Sequence, residues 1–102
     1  METNNSNFAR HYLEISIKDF KTLKRLADKA IEQIGDKDYH WQPDAESNSI
    51  AIIMKHMSGN MISRWTDFLT TDGEKKDRNR DGEFIDDFDS LEQLISFWER
   101  GW

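Results

Sequence analysis

Cysteine is absent from this chain, which excludes disulfides and thiolate sites and suits a reducing compartment. Proline occurs once, at Pro43. No apolar run approaches the roughly 20 residues of a membrane-spanning helix, and no segment alternates cleanly enough to read as a strand. The opening residues METNNSNFARHY lack the basic and apolar regions of a signal peptide. There is no glycine-rich phosphate loop and no serine, histidine and acid set at motif spacing. Basic charge is also short: 14 Lys and Arg stand against 20 Asp and Glu, for a net charge of −6. Binding to nucleic acid is dominated by phosphate neutralisation, so this balance argues against a nucleic-acid partner and against an anionic membrane surface. The expectation is one small cytoplasmic domain spanning the 102 residues, with a modest core.

What is present is helical periodicity. Tyr12, Ile15, Phe20, Leu23, Leu26, Ala27, Ala30 and Ile34 recur at helical spacing, with Lys18, Lys21, Lys24 and Lys29 mostly outside the stripe. They predict a first helix over about 7–34, roughly 40 Å long, closed by Gly35 in a left-handed cap. Residues 36–49 form a connection whose Tyr39 and Trp41 are apolar enough to fold back over one end of a bundle. Ser49 or Asn48 caps a second helix over about 49–70, broken by Asp72-Gly73. A long ordered loop over 72–89 follows, anchored by Phe84, Ile85 and Phe88. Ser90, with Gln93 in capping-box register, opens a third helix over about 90–101 whose apolar face is Leu91, Leu94, Ile95, Trp98 and Trp102. The fold class is all-α, an antiparallel helical bundle. Three amphipathic helices leave one side of a bundle open, which favours self-association as a homodimer.

The second helix carries the residues of interest. Ile50, Met54, Met57, Met61, Trp65 and Phe68 form its predicted core face, and His56, Asn60, Ser63, Arg64 and Asp67 run beside them. A neutral imidazole at His56 can ligate a divalent metal, with Asn60 or Ser63 orienting it. One histidine is not a site, since zinc takes at least three protein ligands, and a histidine bonded at a helix seam has the same signature. His11 and His40 have no partner at ligand spacing. Asp77, Asn79, Asp81 and Gly82 open like a calcium loop, but Phe88 stands where that loop needs a bidentate glutamate. Arg64 can reach an anionic group or pair with a nearby acid. From Asp72 to Glu83 four basic residues face five acidic ones, so local ion pairs are the expected use of Arg78 and Arg80.

The run NSIAIIMKHMSGNMISRWTDFLTTDGEKKDRNRDGEF carries H-x-x-x-N-x-x-x-R-W followed by D-G-E-K and R-N-R-D-x-E-F. In these motifs the chain resembles the DinB/YfiT-like superfamily, in particular a branch of uncharacterised bacterial proteins. The long first helix, the Tyr39–Pro43 connection and the L-x-x-L-I-x-F-W helix are similar too, so the resemblance spans nearly the whole chain. It implies a four-helix bundle with a three-histidine divalent metal site, zinc or nickel, in thiol-dependent transferases or hydrolase-like enzymes. His56 stands at the ligand position of the second helix, and Asn60, Ser63 and Arg64 would line the pocket. The other two ligands belong to an H-x-x-x-H motif on a fourth helix, which this sequence does not contain. The resemblance therefore implies a single domain over 1–102 truncated before its fourth helix. Its metal site is incomplete, no catalytic residue is assigned, and a lone chain is expected to be inactive. The alternative is a non-catalytic helical homodimer or interaction module.

Overall fold

The computed structural model describes residues 2–34 and 38–102, and all regular structure among them is helical. In chain order there are α1 (Glu2–Glu32), α2 (Ile50–Trp65), a short 3-10 turn (Asp81–Phe84) and α3 (Leu91–Gly101). The chain divides into two compact units, Met1–Ile34 and Gly35–Trp102. No described helix is long and apolar enough to cross a membrane.

The first unit is α1, 31 residues and so about 46 Å of continuous helix. It begins ahead of the predicted Asn7 and ends short of Ile34. Its last turn tightens: the Gln33 and Ile34 amides donate to the Ala30 and Ile31 carbonyls at 3.3 and 3.0 Å, a three-residue reach. Lys24 donates to Asp28 one turn on at 2.7 Å. The predicted Gly35 cap lies outside the described residues.

The second unit holds the core. Ser49 is the N-cap of α2; its hydroxyl accepts from the Ile52 amide at 3.1 Å. Tyr39 is buried, and its carbonyl accepts from the Ala51 amide at 2.9 Å, which seats the connection on the start of α2. Trp41, expected to plug the bundle with it, is instead 66% exposed. In α3, Ser90 accepts from the Gln93 amide at 3.1 Å, and Gln93 returns a side-chain oxygen to the Asp89 amide at 2.8 Å. Leu94 and Trp98 of α3 are buried against α2, and Trp102 meets Trp98 edge-on at 5.6 Å between ring centroids.

Two details of α2 differ from expectation. Its buried residues are Ala51, Ile52, Met54, Ser58 and Ser63, whereas Met57, Trp65 and Phe68 of the predicted stripe are exposed. Small residues face α3 because the helices approach closely. A Cβ added at Gly101 would lie 2.9 Å from the Ser58 Cα, closer than van der Waals contact allows. The helix also stops at Trp65 rather than near Thr70. Asp67 takes a positive φ of 50°, and its carbonyl gathers the Thr70 and Thr71 amides at 3.0 Å each and the Thr71 hydroxyl at 2.9 Å. That turn reverses the chain before Asp72-Gly73. Within the loop predicted over 72–89 the structure adds the 3-10 turn.

Candidate functional site

His56 lies in the middle of α2, and the turn Asp81–Phe84 packs on the same helix. The His56 Nδ1 and the Glu83 Oε1 lie 3.0 Å apart, and the Phe84 ring flanks the imidazole at 5.0 Å between centroids. The Glu83 side chain is 7% exposed, the His56 side chain 37%. Arg78 forks onto the same carboxylate: Nε donates to Oε2 and Nη2 to Oε1, both at 2.9 Å. The Arg78 side chain is 4% exposed, so this pair is shut off from solvent on both sides. Arg78 Nη1 also donates to Glu74 at 3.0 Å, and Glu74 accepts from Arg64 Nη2 at 3.0 Å. The result is a chain of polar partners, His56, Glu83, Arg78, Glu74 and Arg64, that leaves α2, crosses the loop and returns two turns later.

Burial alone pushes the Glu83 carboxyl up. The hydrogen bonds and charges of Arg78 and His56 outweigh that, leaving it below the usual carboxylate range. The Glu83 hydrogen bond in turn holds the Arg78 guanidinium above its ordinary value, against the effect of burial. Gly59 makes room for this arrangement. A Cβ there would collide with Glu83 Oε2 and lie 2.7 Å from its Cδ, so the carboxylate occupies the place of the missing side chain.

Ser63 and Arg64 of the predicted ladder hold the loop. Ser63 is buried; its hydroxyl donates to the Gly73 carbonyl at 2.6 Å and accepts from the Lys75 amide at 3.2 Å. Lys75 Nζ donates to the Ser63 carbonyl at 2.6 Å and also reaches the Asp72 carbonyl. Asn60 is half-buried on the same helix. Two surface clefts flank α3, one lined by Tyr39, Ser90, Leu91, Glu92 and Ile95, the other by residues between Phe88 and Arg100. His56, Asn60, Ser63 and Arg64 line neither.

Lys55, one position before His56, is a second tether. Its Nζ donates to the Gly82 carbonyl at 2.7 Å, the Ile85 carbonyl at 3.0 Å and Asp87 Oδ1 at 2.8 Å. It also sits 5.5 Å over the Phe88 ring. Hydrogen bonding and charge from Lys55 outweigh slight burial and hold the Asp87 carboxyl low. His40, read as a loop histidine with no partner at ligand spacing, meets the distant Asp86 through its Nδ1 and Tyr39 at 3.7 Å between rings. The calcium-like run is used differently, since Asn79 Oδ1 accepts from the Gly82 amide at 3.0 Å and shapes the turn.

Among the described residues no group of three or more His, Cys, Asp or Glu is placed to hold a metal ion. At His56 the described residues therefore offer one imidazole oriented by a buried carboxylate, which fits one ligand of a metal site and not a complete one. The expected local ion pairing of Arg78 is met by Glu83 and Glu74, whereas sequence reasoning missed Glu83 and Gly59 as members of this cluster. The available signals were Gly59 itself, an isolated glycine in a helical pattern that often marks a close approach, and the R-N-R-D-x-E-F run that contains both charged partners.

Compared with known proteins, residues 7–102 match the family model for DUF1572, described as a protein of unknown function. The chain belongs to the DUF1572 family. No curated protein and no solved structure gives a significant match. Nearly the whole α1-to-α3 span, with the loop that supplies Glu83, thus falls within one family unit.

Proposed function

We propose that this DUF1572 protein is a DinB-like helical domain that contributes His56 as one ligand of a divalent-metal site. The remaining donors come from outside the described residues. The observation that carries this reading is the His56–Glu83 contact at 3.0 Å, because metal-ligating histidines are characteristically held at one ring nitrogen by a carboxylate or carbonyl. Among the described residues the other nitrogen, Nε2, takes part in no hydrogen bond. A divalent ion bound there would supply Lewis acidity toward a thiol or water nucleophile. The described residues bind and orient; they contain no complete catalytic set, so the described part acts as a ligand-presenting module rather than an enzyme on its own.

Native mass spectrometry of untagged protein, before and after adding zinc, tests the reading. The expected result is an assembly that gains one zinc ion and loses it in His56→Ala. Absence of zinc from the wild type, or equal uptake by the variant, would remove His56 from any metal site.

A further inference from the structure

An ionised carboxylate only accepts hydrogen bonds. Glu83 is fixed in that form by Arg78, whose guanidinium is always charged, has donors only, and covers both carboxylate oxygens at 2.9 Å. The imidazole nitrogen 3.0 Å from Oε1 must therefore carry the hydrogen. We propose that Glu83 is the positioning residue of His56: it holds the ring as the Nδ1–H tautomer and leaves the lone pair on Nε2.

Three further features support the assignment. Gly59 leaves open the space in which the carboxylate sits, so a side chain there would displace Glu83 from the ring. Phe84, the next residue, packs along the imidazole and restricts its rotation. Lys55 ties the carbonyls of Gly82 and Ile85, on either side of Glu83, back to α2. Glu83 is thus anchored from its own backbone, from Arg78 and from the helix it faces. A carboxylate serving only to close the loop through Arg78 would not need Oε1 shared between the guanidinium and the imidazole. The use of the exposed lone pair rests on the metal reading above, whereas the tautomer stands on geometry alone.

The test is a long-range proton–nitrogen correlation spectrum of the 15N-labelled full chain at about pH 8, where an ordinary imidazole is neutral. The wild type should show His56 protonated at Nδ1 and bare at Nε2. Glu83→Gln should lower the Nδ1–H population, because an amide can present the ring with a donor or an acceptor. Wherever zinc binds, the variant should bind it about tenfold to a hundredfold more weakly. A wild-type ring protonated at Nε2, or a Glu83→Gln spectrum unchanged from wild type, overturns the proposal. If Glu83→Gln does not fold, the wild-type tautomer decides alone. If the tautomer is as expected and shifts with Glu83→Gln, yet zinc leaves His56 unperturbed, the positioning role stands and the metal reading falls.

Discussion

Helix α2 is held along two seams of different chemistry. Toward α3 it packs with Ala51, Met54 and Ser58 buried on its own side and Leu94 and Trp98 buried on the other, a largely apolar seam close enough that Gly101 must lack a side chain. Toward the loop it is joined by Lys55, His56, Ser63 and Arg64, each bonded to a polar partner between Asp72 and Asp87. The apolar seam gains from area removed from water and tolerates changes that keep volume. The polar seam depends on complete pairing, since a buried charge that loses its partner costs more than the intact pair contributes. The first therefore serves as scaffold, and the second sets where individual side-chain atoms lie.

The contrast can be broken most strongly on the apolar side. Trp98→Ala should lower the unfolding free energy by about 3–5 kcal/mol, read by chemical denaturation; a loss below about 1 kcal/mol would show that α3 is not a main support of α2. On the polar side, Arg78→Met leaves Glu83 buried without its cation and should cost about 3 kcal/mol. Adding Glu83→Leu to that variant should restore much of the stability. A double variant no better than the single one would mean that the pair is not energetically isolated from solvent.

Smaller effects sharpen the comparison. Gly59→Ala gains about 1 kcal/mol of helix propensity but pushes on the Glu83 carboxylate, so a net loss of about 1 kcal/mol is expected from the strain. The informative readout is a changed His56 ring spectrum, which simple helix stabilisation would not produce. Ser49→Ala should cost about 1 kcal/mol through the lost cap, with no change at His56. The pH dependence follows from the depressed Glu83 carboxyl, whose ordinary value is 4.5. Its contribution to stability is fully present above that value and is lost as the pH falls through it toward the lower folded value. Asp87 acts in the same direction from an ordinary value of 3.8. Melting temperatures between about pH 5 and pH 2 should therefore fall less steeply in Glu83→Gln than in wild type.

The α3 side of the apolar seam was legible in the sequence, whereas its α2 side and the long-range contacts of the polar seam were not, for a physical reason. Leu94 and Trp98 recur at helical spacing behind a Ser90 cap, so α3 and its buried face follow from periodicity. The same logic misplaced the end of α2. Phe68 continues the apolar period past Trp65, while the backbone turns extended at Thr66 and left-handed at Asp67, so the helix has already ended. His56 stood out as the titratable residue beside the stripe. Its partner did not, because an ion pair across 27 residues leaves no periodic trace and Glu83 is one of five acidic residues between Asp72 and Glu83. Arg64 was correctly read as able to pair with a loop acid, though which acid depended on where the loop runs.

Lys55 also bears on how the loop opens. Its three oxygen partners lie 27, 30 and 32 residues further along the chain, so whichever bond forms first closes a long loop and meets nearly all of the entropic cost. The other two then form at little additional cost, and breaking one of the three returns almost none of that entropy. The segment around Glu83 should consequently open as one cooperative unit rather than fray from an end. Its amides would exchange with solvent hydrogen at a common rate, and Lys55→Met should raise that rate for the whole segment at once.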